Sequence, residues 1–320
     1  MVSSQSNRLR RPKREIDTAD KRRDNSVEEL KADVLKHIEC ICSNGMEGLK
    51  ATSNITRVIE LTENKTFTER YRSVPHNKRP EFKKLLDELY ANGIIVDSKS
   101  DYCSPPNVVL KSDGSIRFTV DYKKLNSMTV KDNYPLPIMD ELFKDLSDAE
   151  YLSKMDLESG YYQIAMDAKS RKFTAFLCEY GLFEWTRMPM GHKNSAATFQ
   201  RAMNHIFRDQ IGRFLHIYMD DFIVYSRTPE QHLEHLKTVI NKLHKAQMRV
   251  KLRKCSFFQR EIEFLGHLIR KGTIKPFTIE SRSIVPLRGF KNVKTTTQFS
   301  RISIVYKIHR TLYRTSARTI

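Results

Sequence analysis

Residues 214–225 read Phe-Leu-His-Ile-Tyr-Met-Asp-Asp-Phe-Ile-Val-Tyr, a mostly apolar, β-prone run with two carboxylates at its centre. Ile, Tyr, Phe and Val on both flanks favour strands, and Asp220-Asp221 is where such a run should turn. A hairpin of this kind presents two acids at its tip. Adjacent carboxylates repel and are costly to desolvate, so they need solvent around them or a cation between them. Taken alone, the pair reads as an acidic surface turn, where Asp is common. Joined by further ligands, it suits Mg²⁺, a hard ion that takes carboxylates together with substrate phosphates. A third carboxylate and a phosphate-binding surface decide between the two. Asp156 is the candidate: it ends the apolar run 151–155, just before Ser159-Gly160. A strand-end Asp beside a hairpin Asp pair is the minimum for two-metal phosphoryl transfer. One ion then activates the attacking hydroxyl and the other steadies the leaving pyrophosphate.

The surrounding pattern has to hold these strands in place. Pro80 opens a helix with Phe82, Leu85, Leu86 and Leu89 on one face, and Asn92-Gly93 closes it. Segments 107–110 and 116–120, joined by Ser112-Asp113-Gly114-Ser115, read as a hairpin. A short helix is predicted at about 138–146, and β-rich runs alternate with polar turns over 149–187. Asn194 or Ser195 can cap a helix burying Phe199, Met203, Ile206 and Phe207. Thr228-Pro229-Glu230-Gln231 resembles a capping box, followed by the stripe Leu233, Leu236, Val239, Ile240, Leu243. His232 and His235 lie on that helix and are expected on its solvated side. Strands follow at about 248–252 and 262–269. Helices alternating with mostly antiparallel strands predict an α+β fold, a sheet with helices packed on one face.

The chain has 320 residues, with 56 Lys+Arg against 38 Asp+Glu, a formal charge of +18. That excess suits a polyanion, because neutralising phosphates releases counterions. Residues 281–320 carry nine Lys/Arg and no acid. Residues 1–55 have few aromatics and weak periodicity, and are expected to be a basic, mostly disordered tail with one short helix near 27–42. Five scattered cysteines read as free thiols in a reducing compartment. No apolar run approaches the roughly 18–20 residues that span a bilayer, so no membrane partner is expected. The N-terminus has no apolar stretch after its charges, which argues against a secretory signal and for an intracellular protein.

Five segments occur in order: Val-Asp-Tyr-Lys-Lys-Leu-Asn (120–126), Lys-Met-Asp-Leu-Glu-Ser-Gly-Tyr-Tyr-Gln-Ile (154–164), Met-Pro-Met-Gly-His-Lys-Asn-Ser-Ala-Ala-Thr-Phe-Gln (188–200), Tyr-Met-Asp-Asp (218–221) and Glu-Phe-Leu-Gly-His (263–267). Together they resemble the successive motifs of reverse transcriptases of gypsy-class LTR retrotransposons, relatives of the retroviral enzymes. The resemblance covers about residues 56–298. It implies fingers over about 56–148, a polymerase palm over about 149–270 and the start of a thumb over 271–298. It implies an RNA-directed DNA polymerase that takes dNTPs and an RNA or DNA template with its primer, in a cytoplasmic virus-like particle or the nucleus. Asp156, Asp220 and Asp221 would hold two Mg²⁺ ions, for which Mn²⁺ could substitute. Tyr161 would lie beneath the incoming sugar and exclude a 2′-hydroxyl. Lys111 and Arg117 would clasp the triphosphate, and Gly191 would pack beside nucleotide and template. Phe264, Leu265 and Gly266 would form the primer grip, and Lys254 would donate a proton to pyrophosphate.

Two departures stand out. The family commonly continues Met-Pro-x-Gly with Leu-x-Asn-Ala-Pro-Ala-Thr-Phe; here His192 replaces the apolar residue and Ala196 the proline. Losing that proline is expected to relax the start of the helix. The Tyr-Tyr-Arg-type sequence expected after residues 295–299 is absent, and a divergent basic tail occupies 299–320, as in a truncated copy with an incomplete thumb or a frame change. No RNase H, integrase or protease motif is visible. The alternative to the enzyme is a catalytically impaired nucleic-acid-binding domain of retroelement origin; an RNA-dependent RNA polymerase is disfavoured by Tyr161.

Overall fold

The computed structural model describes residues 14–277, apart from 44, 71 and 111–115. Lys111, the thumb residues beyond 277 and the tail 299–320 therefore lie outside the described residues.

Segment 14–55 differs from the expected tail. It opens with a 25-residue helix, α1 (Arg14–Ile38), followed by a 3-10 turn at Glu39–Ile41. Val27, Leu30, Val34, Ile38 and Ile41 recur every three or four residues, and the last three are fully buried against Leu236, Val239, Ile240 and Leu243. Lys237 Nζ meets Asp33 at 2.8 Å, and His37 is hydrogen-bonded to Asn241 at 3.0 Å, along the same contact. The upstream charges hide this stripe from a pattern reading.

Next come β1 (Thr52–Arg57), α2 (Arg79–Ala91) and β2 (Ile95–Asp97). Helix α2 buries Phe82, Leu86 and Leu89 and ends at Gly93, whose φ of +63° suits a residue without a Cβ. The predicted hairpin is present as β3 (Pro106–Leu110) and β4 (Ile116–Val120), in register Leu110 to Ile116. Then follow α3 (Lys123–Met128), α4 (Met139–Leu146), β5 (Tyr151–Asp156), β6 (Ile164–Met166), β7 (Phe176–Cys178) and β8 (Gly181–Trp185). An aromatic core of Phe82, Phe118, Tyr162, Phe176 and Trp185 joins α2, β4, β7 and β8.

The second half contains α5 (Ser195–Ile206), β9 (Leu215–Tyr218), β10 (Asp221–Ser226), α6 (Pro229–Lys245), β11 (Ser256–Gln259), β12 (Glu261–Phe264), β13 (His267–Arg270) and β14 (Thr273–Pro276). Thr228 caps α6 as expected, its hydroxyl accepting from Gln231 N–H at 3.3 Å. Four antiparallel strands, in the order β11-β5-β10-β9, form the central sheet. One face, with Tyr151, Met155, Phe222 and Val224, packs into the core formed with α1, α5 and α6. The other, with Leu152 and Ile223, is covered by α4 and by Ile262, Phe264 and Ile269. This is an α+β polymerase palm.

Two expected strands take another form. The strand expected at 248–252 is reduced to Val250, which bridges Cys42 on one side and Leu157 on the other, followed by a 3-10 turn at Leu252–Lys254. The strand expected at 262–269 is a hairpin, because Leu265 and Gly266 take positive φ (48° and 73°) and turn the chain between β12 and β13. His232 is also not solvated. It is fully buried, bonded to Ser153 Oγ at 2.7 Å and Ser226 Oγ at 2.8 Å, and burial pushes its pKa down to about 3.

Candidate active site

Antiparallel pairing fixes the carboxylates. Asp221 stands opposite Asp156 in the β10–β5 register, so both project from the same face of the sheet. Met219 and Asp220 form the two-residue connection between β9 and β10, and Met219 has φ 54°. A side chain in that region costs about 1 kcal/mol. Fully buried Gln200 on α5 offsets the cost: its Oε1 accepts from Met219 N–H at 3.0 Å and its Nε2 donates to Ile217 C=O at 3.0 Å. Gln200 belongs to the 188–200 motif, yet its type alone gives no hint of this task.

Asp220 is the electrostatic centre. Burial, then the neighbouring Asp156 and Asp221 charges, push its pKa up to about 7, while Lys254 opposes them. Its Oδ1 is buried without a hydrogen-bond partner. Gly160 permits this arrangement. A Cβ there would lie 3.3 Å from Asp220 Oδ1 and 3.2 Å from the Phe199 ring. The Ser159-Gly160 break is thus a packing requirement as well as the end of the strand segment.

The other two carboxylates each meet an ammonium. Lys254 Nζ lies 3.0 Å from Asp156 Oδ2, and Lys154 Nζ lies 2.8 Å from Asp221 Oδ1. Lys154 is two residues before Asp156, which makes it the diagonal cross-strand neighbour of Asp221. The three acids are close enough to perturb one another. Among the described residues, however, no group of three or more His, Cys, Asp or Glu is disposed to hold a metal ion. The predicted ligand set is therefore brought together but not assembled, since lysines engage two of its members. Its chemistry still fits a divalent cation: a carboxylate with one buried, orphaned oxygen and two like charges beside it gains from one.

Tyr161 lies on the 3-10 turn Gly160–Gln163 and stacks on Phe199, ring centroids 5.3 Å apart. Arg117 is exposed on β4, opposite Val109. Gly191 has φ +88°, and a Cβ would stand 3.3 Å from Val120 C=O, so the end of β4 closes directly on the start of α5. Of the predicted primer grip, Phe264 is fully buried under the sheet and is a core residue; strand alternation turns it inward. Leu265 and Gly266, at the turn, reach the surface.

The start of α5, expected to be loose without its proline, is held by side chains. Lys193 N–H donates to Asn126 Oδ1 at 2.7 Å, and Asn126 Nδ2 donates to Gly191 C=O at 3.1 Å. Asn194 holds the N-cap position, but its side chain does not bond the helix N–H groups; it donates to Val130 C=O at 2.8 Å and accepts from Asp132 N–H at 3.2 Å. Buried His192 accepts at Nδ1 from Arg57 Nη2 at 3.1 Å, which leaves Nε2–H to donate to Thr129 Oγ1 at 3.3 Å. Burial first, then Arg57 and Lys193, push the His192 pKa down to about 3. Arg57, itself buried, also donates to Thr198 Oγ1 at 3.1 Å, and desolvation lowers its pKa to about 10.

Residues 109–269, half of the chain, match the reverse transcriptase (RNA-dependent DNA polymerase) family. The retrovirus-related Pol polyprotein from transposon 297 of Drosophila melanogaster is 37% identical over 244 residues, covering 75% of this chain and 23% of that protein. That from transposon gypsy is 36% identical, covering 59% and 19%, and the enzymatic polyprotein of cauliflower mosaic virus (strain Strasbourg) is 37% identical, covering 62% and 30%. The chain thus spans about a quarter of the length of the curated relatives it matches. Among solved structures, the foamy viral protease-reverse transcriptase in complex with RNA/DNA hybrid superposes with a TM-score of 0.72 at 23% identity, over 80% of this chain and 34% of that one. The foamy viral protease-reverse transcriptase dRH in complex with double-stranded DNA gives 0.74 at 23% identity, over 80% and 45%. Matched in sequence across half its length and in fold across most of it, this chain belongs to the reverse transcriptase family, among relatives of the gypsy-type Pol polyproteins.

Proposed function

We propose that the chain is an RNA-directed DNA polymerase that extends a primer 3′-hydroxyl with dNTPs on an RNA or DNA template. The observation that carries this reading is the Asp220 carboxylate, whose Oδ1 is buried without a hydrogen-bond partner and whose charge is opposed by those of Asp156 and Asp221. Lysines meet Asp156 and Asp221, whereas Asp220 at the turn has a buried oxygen with no partner of its own, and a cation at the cluster would offset its charge. Reverse transcriptases generally depend on a divalent metal ion, and here Asp156, Asp220 and Asp221 would hold two Mg²⁺. When bound, the ions supply Lewis-acid stabilisation of the attacking and leaving oxygens. The primer 3′-hydroxyl gives up its proton to solvent as its oxygen bonds to the α-phosphorus, and the bond from that phosphorus to the bridging oxygen breaks with its electron pair on pyrophosphate. Lys254, already beside Asp156, gives the leaving group a proton. Tyr161 presents a ring wall that excludes a ribose 2′-hydroxyl, and Arg117 suits paired contacts to phosphate oxygens. The nucleic-acid duplexes bound by the foamy viral enzymes support a primer–template as partner.

The two lysine–carboxylate pairs favour a second reading, a nucleic-acid-binding domain in which these lysines have taken the place of the cation. Primer extension on poly(rA)·oligo(dT) with Mg²⁺ separates the two. Incorporation that disappears in Asp220→Asn supports the polymerase. Duplex binding without incorporation, in the unaltered chain, supports the binding domain.

A further inference from the structure

Lys254 reaches Asp156 from a segment that belongs to no sheet, so something else must hold it there. Residues 249–251 run antiparallel to 156–158: Lys251 N–H donates to Asp156 C=O at 2.9 Å, Glu158 N–H to Arg249 C=O at 3.0 Å, and Leu157 bridges Val250. Beside this short ladder lies Gln163, fully buried and with both ends of its amide in use. Its Oε1 accepts from Arg249 N–H at 2.7 Å, and its Nε2 donates to Arg249 C=O at 2.9 Å and to Glu158 C=O at 2.7 Å. A second tie is ionic: Lys251 Nζ sits 2.9 Å from Glu158 Oε1, with the two side chains only 19% and 5% exposed. The 3-10 turn then starts from Lys251, whose C=O accepts from Lys254 N–H at 2.9 Å. None of these contacts uses the side-chain carboxylates of Asp156, Asp220 or Asp221.

We propose that Gln163 and the Glu158–Lys251 pair are positioning residues, a latch that docks 249–254 on the end of β5 and so sets the Lys254 ammonium against Asp156. The proposal rests on Lys254 acting as proton donor. A buried amide bonded at three points tolerates little displacement, and a misplacement on the order of 1 Å at a reacting group can cost about 100-fold in rate. The other edge of the segment is tied to the chain after α1, where Val250 N–H donates to Ile41 C=O at 2.9 Å and Val250 C=O accepts from Ser43 N–H at 3.1 Å, so the latch governs only the edge that faces β5 and Asp156.

The test uses the full chain, with Gln163→Ala, Glu158→Gln and Lys254→Met, singly and combined, each checked for a cooperative melt. In single-turnover incorporation on a primer–template, Gln163→Ala and Glu158→Gln are expected to lower the rate about tenfold with the dNTP KM nearly unchanged. Added to Lys254→Met, they should change the rate less than about twofold, the coupling expected of residues that act through one group. An equal loss in both backgrounds, or none in the unaltered one, overturns the latch. Lys254→Met without effect overturns both the latch and the donor role on which it rests. A readout independent of activity is the acylation rate of the Lys254 amine, followed by peptide mass spectrometry with exposed Lys84 as reference. Release from Asp156 in Gln163→Ala or Glu158→Gln should raise that rate several-fold, and an unchanged rate refutes the positioning role even in a chain that does not polymerise.

Discussion

Asp220 and His192 are both polar side chains set into the interior, one at the β9–β10 tip and the other at the start of α5. Their surroundings follow opposite rules. His192 has a donor on one ring nitrogen and an acceptor on the other, supplied by Arg57 and Thr129, and is held neutral. Asp220 keeps an oxygen without a partner and two like charges beside it. The first arrangement is what stability asks of a buried polar group. The second sacrifices stability locally, and such a sacrifice points to a ligand. That contrast also relocates the expected weakness of the α5 start, where a rigid proline is replaced by a polar network.

The contrast can be broken from either side. Asp220→Asn should abolish incorporation, by at least about 1,000-fold, while stabilising the fold by roughly 1–3 kcal/mol at pH 8. A carboxyl with its pKa raised to about 7 burdens the fold above that pH and not below about 4, so urea melts at pH 8 and pH 4 should show the gain only at the former. No gain at pH 8 would mean that Asp220 is not strained by its neighbours. Arg57→Leu should do the reverse, destabilising by about 3 kcal/mol because His192 and Thr198 lose a buried donor. Measured per folded molecule, duplex binding should change little.

Next in size is the pH response. His192 and His232 have folded pKa values near 3 against about 6.5 unfolded, so their contribution is complete above about pH 6.5 and lost as pH falls toward 3. Between pH 7 and 5 each should cost about 2 kcal/mol. Relief of Asp220 over the same range opposes that loss, so the decline should be steeper in Asp220→Asn. The smallest effect concerns His192→Leu, expected to cost about 1–2 kcal/mol through the orphaned Arg57. Adding Arg57→Met should recover part of it; simple additivity in a thermal-melt cycle would sink the idea of one shared network.

These effects show which residues a sequence can reveal. Asp156, Asp220 and Asp221 are legible because a carboxylate set in an apolar run is costly to bury and so marks its own position. Gln163, Gln200 and Arg57 are not, because a buried amide or guanidinium is read only through its partners, and those of Arg57 lie 135 and 141 residues away. Helices α2, α5 and α6 are legible from their stripes and caps. Segment 248–252 is not, since its apolar residues point inward like those of a strand while only Val250 forms a bridge. The primer-grip motif draws Phe264 into the site, whereas strand alternation places it in the core.

The docking of α1 on α6 has a practical consequence. The matched family stretch begins at residue 109, and a chain trimmed to it, or even to residue 56, would strip the cover from Leu236, Val239, Ile240 and Leu243. Such a chain would carry a newly wetted apolar strip along the back of the palm and should self-associate when expressed. The smallest soluble unit is therefore set by a helix that no polymerase motif marks.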